Sequence, residues 1–193
     1  MRGDDRSRAP RPRRKGSVPA VIVVLAAIVS IPASGAAAQD APTGFRGEFL
    51  HQFDQSMAKV VALAEAVPAE TYSRRPVPAV MPLARMFAHI ARFNYEYPAR
   101  AMGISTPAGI DRDTLERVSE KAQVVPLLRR SAEHVRQAVR RMPESQLGQM
   151  TTLYGRRVPQ WAVLLQLLAH MDDHLGQTIA YGRVSGVVPP WSQ

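Results

Sequence analysis

Four stretches of the chain carry apolar residues three or four positions apart, and proline- or glycine-rich breaks separate these stretches. Such spacing places the apolar side chains on one face of an α-helix. No stretch keeps the sustained alternation that is typical of a half-buried β-strand. The pattern therefore predicts an all-α fold, and four helices of this length most simply form an antiparallel four-helix bundle.

The first two helices are bounded by residues that commonly start and end helices. Thr43 can cap the first helix, which should end at Pro68. Its predicted buried stripe consists of Phe49, Phe53, Met57, Val60, Ala64 and Val67. Pro82 suits the first turn of the second helix, because a proline lacks the N–H that would be unpaired there anyway. Pro98 should end or kink that second helix.

The start of the third helix has two interpretations. Either Ser119 caps it and Pro126 kinks it, or it begins near Val125. Its apolar stripe closes at Pro143 in both cases. A loop over residues 144–157 is then predicted to lead to the fourth helix.

The first 38 residues are typical of an export signal rather than of a folded domain. Seven basic residues precede an apolar run over residues 18–31, and small residues follow as far as Ala38. We expect cleavage after Ala38, which would leave one domain over residues 39–193 in the periplasm or the medium. The alternative is a retained membrane anchor, although prolines and polar residues interrupt the apolar stretch. Membrane contact is predicted only through this signal.

The net charge of +9 resembles that of a nucleic-acid-binding protein, but much of it lies in the signal. The remaining chain holds 18 basic and 14 acidic residues, a net charge of +4. Arg129, Arg136 and Arg140 form a stripe on the third helix together with Glu133, which is typical of a solvated face. We therefore predict no nucleic-acid partner.

The absence of cysteine limits the chemistry of the chain. Disulfides, thiolate ligands and a cysteine nucleophile are all excluded. Any thiol chemistry would therefore use a thiol that belongs to a substrate.

Two histidines on the fourth helix, predicted over about residues 158–182, are candidate metal ligands. His170 and His174 are four residues apart, so their side chains share one face of the helix. This helix is apolar on nearly every side up to His170, and burying unpartnered imidazoles is unfavourable. His89 lies near the buried stripe of the second helix and is the third candidate. The alternative is that these histidines are simply hydrogen-bonded within the core.

The two other histidines are not expected to be ligands. His51 lies at the polar edge of the first helix, and His134 lies beside arginines on the third. Both are predicted to be solvated. Three neutral imidazoles with an open fourth position form a familiar catalytic arrangement for Zn²⁺, and Ni²⁺ or Fe²⁺ would also accept imidazole.

Four segments in order resemble the DinB-like family of four-helix-bundle metalloproteins, a group that includes bacillithiol transferases and mycothiol-dependent enzymes. The first segment, residues 68–76, is similar to the family's linker after helix one, and residues 87–91 are similar to its first ligand segment. Residues 170–177 are similar to its second ligand segment, and residues 181–190 to its tail. The resemblance spans residues 49–192, which is almost the whole chain after the signal.

This resemblance implies that His89, His170 and His174 bind a divalent metal ion, and that the helix connections are not those of a simple up-and-down meander. It implies a metal-dependent transferase or hydrolase in which the ion activates a thiol or water towards a small-molecule substrate. The alternative is a non-catalytic helical-bundle protein that binds a metal or a small molecule. The sequence leaves open whether the protein forms a homodimer.

Five further residues are candidates for supporting roles around the three histidines. Asp173 and Gln177 flank the second ligand pair and could orient an imidazole or the bound nucleophile. The alternative for Asp173 is a solvated helix face. Tyr95, Tyr154 and Arg156 are candidate pocket residues that the sequence does not place.

Overall fold

Four long helices, each with a buried face, form the fold of residues 43–192, which a computed structural model describes. They are α1 (Gly44–Ala66), α2 (Leu83–Met102), α3 (Lys121–Arg141) and α5 (Gln160–Val184). A short helix, α4 (Glu144–Leu147), and a hairpin of β1 (Met150–Leu153) and β2 (Arg156–Pro159) lie between α3 and α5. Three turns of 3-10 helix occur at Ala69–Thr71, Leu115–Arg117 and Pro190–Ser192. The predicted all-α four-helix bundle is confirmed.

The order of the helices around the bundle differs from the order in the sequence. Helix α1 packs on α3 and α5, and α2 packs on the same two helices. The α1–α2 connection therefore crosses the end of the bundle diagonally, instead of joining two neighbours as in an up-and-down meander. One consequence is that α2 and α5, which carry the three candidate histidines, lie side by side.

The two internal prolines lie within helices and end neither of them. Pro98 lies in the last part of α2, which continues to Met102 and ends where Gly103 adopts a left-handed conformation. Pro126 lies in the second turn of α3, where it removes a single helical hydrogen bond. The N-cap position of α3 is Glu120, one residue after the Ser119 that the sequence suggested.

The segment predicted as a loop over residues 144–157 contains regular structure. Its four-residue strands pair antiparallel, with Met150 opposite Pro159 and Leu153 opposite Arg156. Tyr154 and Gly155 form the two-residue turn, and both have positive φ angles, of 50° and 76°. This is the geometry of the tight turn that matches the twist of a β-hairpin. The strands are too short and too exposed to show the alternating pattern expected of a half-buried strand.

Backbone carbonyl groups at the C-terminal end of α1 accept hydrogen bonds from side chains of two other segments. The Ala64 carbonyl would normally accept from residue 68, but Pro68 has no N–H, and the buried Tyr72 hydroxyl donates to it instead at 2.6 Å. Lys121, the first residue of α3, donates to the carbonyls of Glu65 and Val67 at 2.6 and 2.7 Å. These bonds attach the end of α1 to the start of α3.

We expect the substitution Tyr72→Phe to lower the free energy of unfolding by about 1–2 kcal/mol. The change keeps the ring but leaves the Ala64 carbonyl buried without a donor. Urea denaturation followed by circular dichroism measures the difference. An unchanged free energy of unfolding would show that water reaches this carbonyl.

The predicted export signal and its cleavage point after Ala38 lie outside the described residues. Within residues 43–192, no helix combines the length and the apolar character needed to cross a membrane.

Candidate metal centre

The three candidate histidines come together at the contact between α2 and α5. The Nε2 atom of His170 lies 3.2 Å from the Nε2 of His89 and 3.2 Å from the Nε2 of His174. The candidate ligand atoms of all three lie within 4.8 Å of one another. His89 thus joins the pair on α5 although it is 81 residues from His170 in the chain.

These nitrogen separations suit a single metal ion. Two nitrogens bound to the same tetrahedral Zn²⁺ at about 2.0–2.1 Å would lie about 3.3 Å apart. The two observed distances of 3.2 Å are close to that value. Within residues 43–192, no fourth histidine or carboxylate joins the group. The arrangement therefore offers three candidate ligands.

A glutamate that the sequence analysis missed fixes the orientation of His89. Oε1 of Glu116 lies 2.8 Å from Nδ1 of His89. Because an ionised carboxylate can only accept a hydrogen bond, Nδ1 of His89 carries the proton and donates it. The Nε2 of the neutral ring then presents a lone pair towards the other two histidines. A carboxylate behind a histidine ligand is a common arrangement at metal sites.

Two arginines hold Glu116 in its ionised form. Arg85 and Arg92 each donate to its carboxylate at 3.0 Å. Burial alone would raise the pKa of Glu116, but the hydrogen bonds from His89, Arg92 and Arg85 outweigh it and lower the pKa to about 2. Glu116 lies on the 3-10 turn Leu115–Arg117, which packs against α2. Its position depends on this tertiary contact, and no local sequence pattern indicates it.

Gln177 orients His174 in the same manner. Its amide oxygen lies 3.0 Å from Nδ1 of His174, and an amide oxygen can only accept. Nδ1 of His174 therefore donates, and its Nε2 also presents a lone pair. The contact agrees with the orienting role considered for Gln177 from the sequence. Asp173, considered for the same role, is exposed on the outer side of α5.

His170 is half-buried and lies against aromatic rings. Its ring centroid lies 4.2 Å from that of Phe93 and 5.7 Å from that of Tyr97. Burial lowers the pKa of His170 to about 3, and repulsion from His174 and His89 acts in the same direction. The imidazole is therefore neutral at physiological pH, which is the form that binds metal.

The other sequence candidates are distributed as follows. Tyr154 lies near the centre, where its hydroxyl is 2.6 Å from that of Tyr97. Tyr95 is buried with its ring against His134, and Arg156 is exposed. His51 is solvated as predicted. His134 is half-buried instead, because Tyr95 covers one side of its ring.

Residues 52–178 match the DinB superfamily, and this match includes all three histidines. The chain belongs to the DinB superfamily. Two solved DinB-like proteins share the fold of this superfamily member. One, from Bacillus cereus, has a TM-score of 0.66 at 17% identity, with 74% of this chain and 93% of that chain covered. The other, from Bacillus subtilis, has a TM-score of 0.59 at 20% identity, with 73% and 93% covered.

A conserved protein from Enterococcus faecalis also shares this DinB fold. It has a TM-score of 0.57 at 13% identity, with 74% of this chain and 97% of that chain covered. At these identities the three structures support the fold alone. No curated protein matches this DinB-superfamily chain.

Proposed function

We propose that this protein binds one divalent transition metal ion through the Nε2 atoms of His89, His170 and His174. The observation that carries the proposal is the convergence of these atoms, since Glu116 and Gln177 aim two lone pairs at a common point. Core histidines that only satisfied one another would need a proton between each adjacent Nε2 pair. The Nε2 of His170 can donate one proton at most, but it lies 3.2 Å from two Nε2 atoms that each present a lone pair. Hydrogen bonds among the three rings would therefore leave one of these two contacts without a proton.

We further propose that the protein is a metal-dependent transferase or hydrolase. A divalent cation at this centre supplies Lewis-acid chemistry, which favours ionisation of a thiol or water for attack on a small electrophile. The three-residue ligand group supports this proposal over a purely structural ion, which would normally have four protein ligands. The three imidazole donors suit Zn²⁺, Ni²⁺ or Fe²⁺, and we propose that the ion is one of these three.

The surrounding residues would orient the reactants and restrict water. Phe93 covers His89 and His170, with ring centroids 4.7 and 4.2 Å away, and keeps this side of the centre apolar. Burial and the neighbouring hydroxyl of Tyr154 raise the pKa of Tyr97, so its phenol stays protonated. Tyr97 can therefore donate a hydrogen bond to a polar atom of a bound substrate, in place of its bond to Tyr154.

Metal analysis of the purified protein tests the binding proposal. We expect about one equivalent of zinc, nickel or iron per chain, and a lower melting temperature after dialysis against a chelator. Catalysis is tested with the purified protein, a small thiol and 1-chloro-2,4-dinitrobenzene, where a new S–C bond forms as chloride leaves. Chelation should remove the rate enhancement, and re-addition of the metal should restore it. A protein that holds no metal and melts unchanged after chelation would contradict the proposal.

We expect the substitution Glu116→Gln to lower zinc affinity by about 10- to 100-fold. The amide has one acceptor oxygen and no charge, so it cannot hold His89, Arg85 and Arg92 together as the carboxylate does. Competition with a chromophoric chelator measures the affinity. Glu144→Gln is the matched control, because this glutamate also pairs with an arginine but is exposed and on α4. Equal affinities for the two variants would contradict a role for Glu116.

We also propose that the domain acts outside the cytoplasm after cleavage at Ala38. The supporting observation is the basic, apolar and small-residue order of the first 38 residues. The N-terminal mass of protein recovered from a periplasmic extract tests this directly. A mature chain should begin at Gln39.

A further inference from the structure

A cavity of about 400 Å³ lies between α2 and the β-hairpin, next to the histidine centre. This hairpin cavity has an apolar wall and a charged edge, and its main lining residues are Phe93, Tyr97, Ala101, Leu153, Arg92 and Arg100. Its volume is in the range of small-molecule binding pockets. Thr152 and Tyr154 of the hairpin close its outer side.

The hairpin cavity shares its wall with the candidate metal centre. Phe93 lines the cavity and lies against His89 and His170, with ring centroids 4.7 and 4.2 Å away. Tyr97 also lines it and lies edge-on to His170 at 5.7 Å. A molecule in the cavity would therefore be separated from the histidines by no more than one layer of aromatic side chains.

The charged edge of the cavity contains more cations than anions. Glu96 also lines the cavity, but it is buried and its charge is offset by ion pairs with Arg100 and Arg112. Glu116, on the other side of Arg92, is paired with Arg85 and Arg92. These two groups of ion pairs together contain four guanidinium groups and two carboxylates, and the adjoining surface adds one cation and one anion, Arg117 and Asp113. The excess positive charge favours an anionic ligand.

Arg92 pairs with Glu116 and also lines the cavity. Its Nη1 bonds to Glu116 at 3.0 Å, and its guanidinium lies over the Phe93 ring at 5.2 Å. Its Nε is buried and has no hydrogen-bond acceptor among the described residues. Because that nitrogen is enclosed by the protein, a bound anion would meet the accessible part of the guanidinium, which lines the cavity.

We propose that the hairpin cavity binds a small organic anion with an aromatic or branched apolar body, and that its carboxylate pairs with Arg92 and Arg100. The body packs on Phe93, Tyr97 and Leu153 and extends towards the histidines. This assignment goes beyond the proposed function and concerns binding of the anion in the cavity alone. The binding itself depends on no metal ligand and can be measured separately.

The test uses calorimetric titration of the purified protein with phenylacetate, the neutral phenylacetamide and the cationic 2-phenylethylamine. We expect phenylacetate to bind at least about tenfold more tightly than phenylacetamide, and the amine to bind most weakly. Arg100→Gln should remove most of this preference for the anion. Arg129→Gln should not, because that arginine pairs with Glu65 between α1 and α3.

A second pair of variants tests the location. Thr152→Trp should fill the cavity and lower phenylacetate affinity at least about tenfold, since this side chain lines the cavity from an exposed strand position. Met150→Trp places the same bulk two residues away on the same strand face, outside the lining residues, and should have little effect. Equal loss in both variants, or no loss in Thr152→Trp, would overturn the assignment.

Titrations of zinc-loaded and metal-free protein separate the two proposals. Phenylacetate binding without any zinc binding would contradict the proposed function and leave the cavity assignment supported. Zinc binding with no detectable phenylacetate binding up to about 10 millimolar, or equal affinity for the three analogues, would overturn the cavity assignment. Phenylacetate binding that needs zinc and survives Thr152→Trp would mean coordination to the ion, and would also overturn it.

Discussion

His170→Ala should lower zinc affinity by at least about a hundredfold, because it removes the nitrogen that lies between the other two candidate ligands. Substitution of residues that merely support a ligand costs about 10- to 100-fold in affinity, and loss of the ligand itself should cost more. The Nε2 of His170 is 3.2 Å from that of both His89 and His174. Without it the remaining two imidazoles come from different helices and form a weak pair.

The thermal stability of the same variant provides an independent readout. Zinc at about 100 times its dissociation constant stabilises a protein by about 2.7 kcal/mol, and the same concentration should stabilise His170→Ala by about 0.4 kcal/mol or less. His51→Ala is the matched control, since this histidine is exposed on α1. Equal zinc affinity for the two variants would contradict the candidate centre.

Phe53→Ala should lower the free energy of unfolding by about 3–5 kcal/mol, the largest stability effect that we expect from one substitution. Phe53 has no exposed surface and stacks on Phe49 with ring centroids 5.7 Å apart. Truncation leaves a cavity in the centre of the bundle that the surrounding helices cannot fully close. Urea denaturation of metal-free protein measures the change.

Phe45→Ala is the control for this effect. Phe45 lies on the same helix but is 36% exposed, and its ring packs edge-to-face with that of Trp161, with centroids 6.1 Å apart. We expect a loss of less than about 1.5 kcal/mol. Because Phe53 is not part of the histidine centre, zinc stoichiometry should be unchanged while the variant is folded. Similar losses for the two variants would contradict the core described for α1.

The helical part of the fold was predictable because it depends on local periodicity. The stripe of α1 could be identified from the positions of residues such as Phe49, Phe53 and Val60, and all three are buried. The prolines were harder to interpret, since Pro98 and Pro126 are tolerated where tertiary packing outweighs one missing helical bond. The hairpin was missed because only Gly155 of its two turn residues favours a positive φ, whereas Tyr154 does not.

Part of the histidine cluster was also predictable from helical spacing. Of the two residues that orient the histidines, spacing indicated Gln177 but not Glu116. His170 and His174 share a helix face, which spacing alone indicates, and Gln177 lies one turn further on the same face. Glu116 belongs to a loop that reaches His89 only in the folded chain. Nothing in the local sequence around Glu116 distinguishes it from a solvated glutamate. Residues held in place by tertiary contacts of this kind need a structure to be found.

The diagonal connection between α1 and α2 has a consequence for assembly of the chain. Because α2 and α5 are neighbours in space but far apart in sequence, an ion shared by His89 and His170 would close a loop of 81 residues. A chain-entropy argument assigns about 4.5 kcal/mol to a covalent bridge that closes a loop of about this length. In a protein without cysteine, the metal would thus act as a reversible cross-link. Metal binding would oppose unfolding as a disulfide does in other proteins. A chelator would remove this stabilisation, as a reductant does for a disulfide.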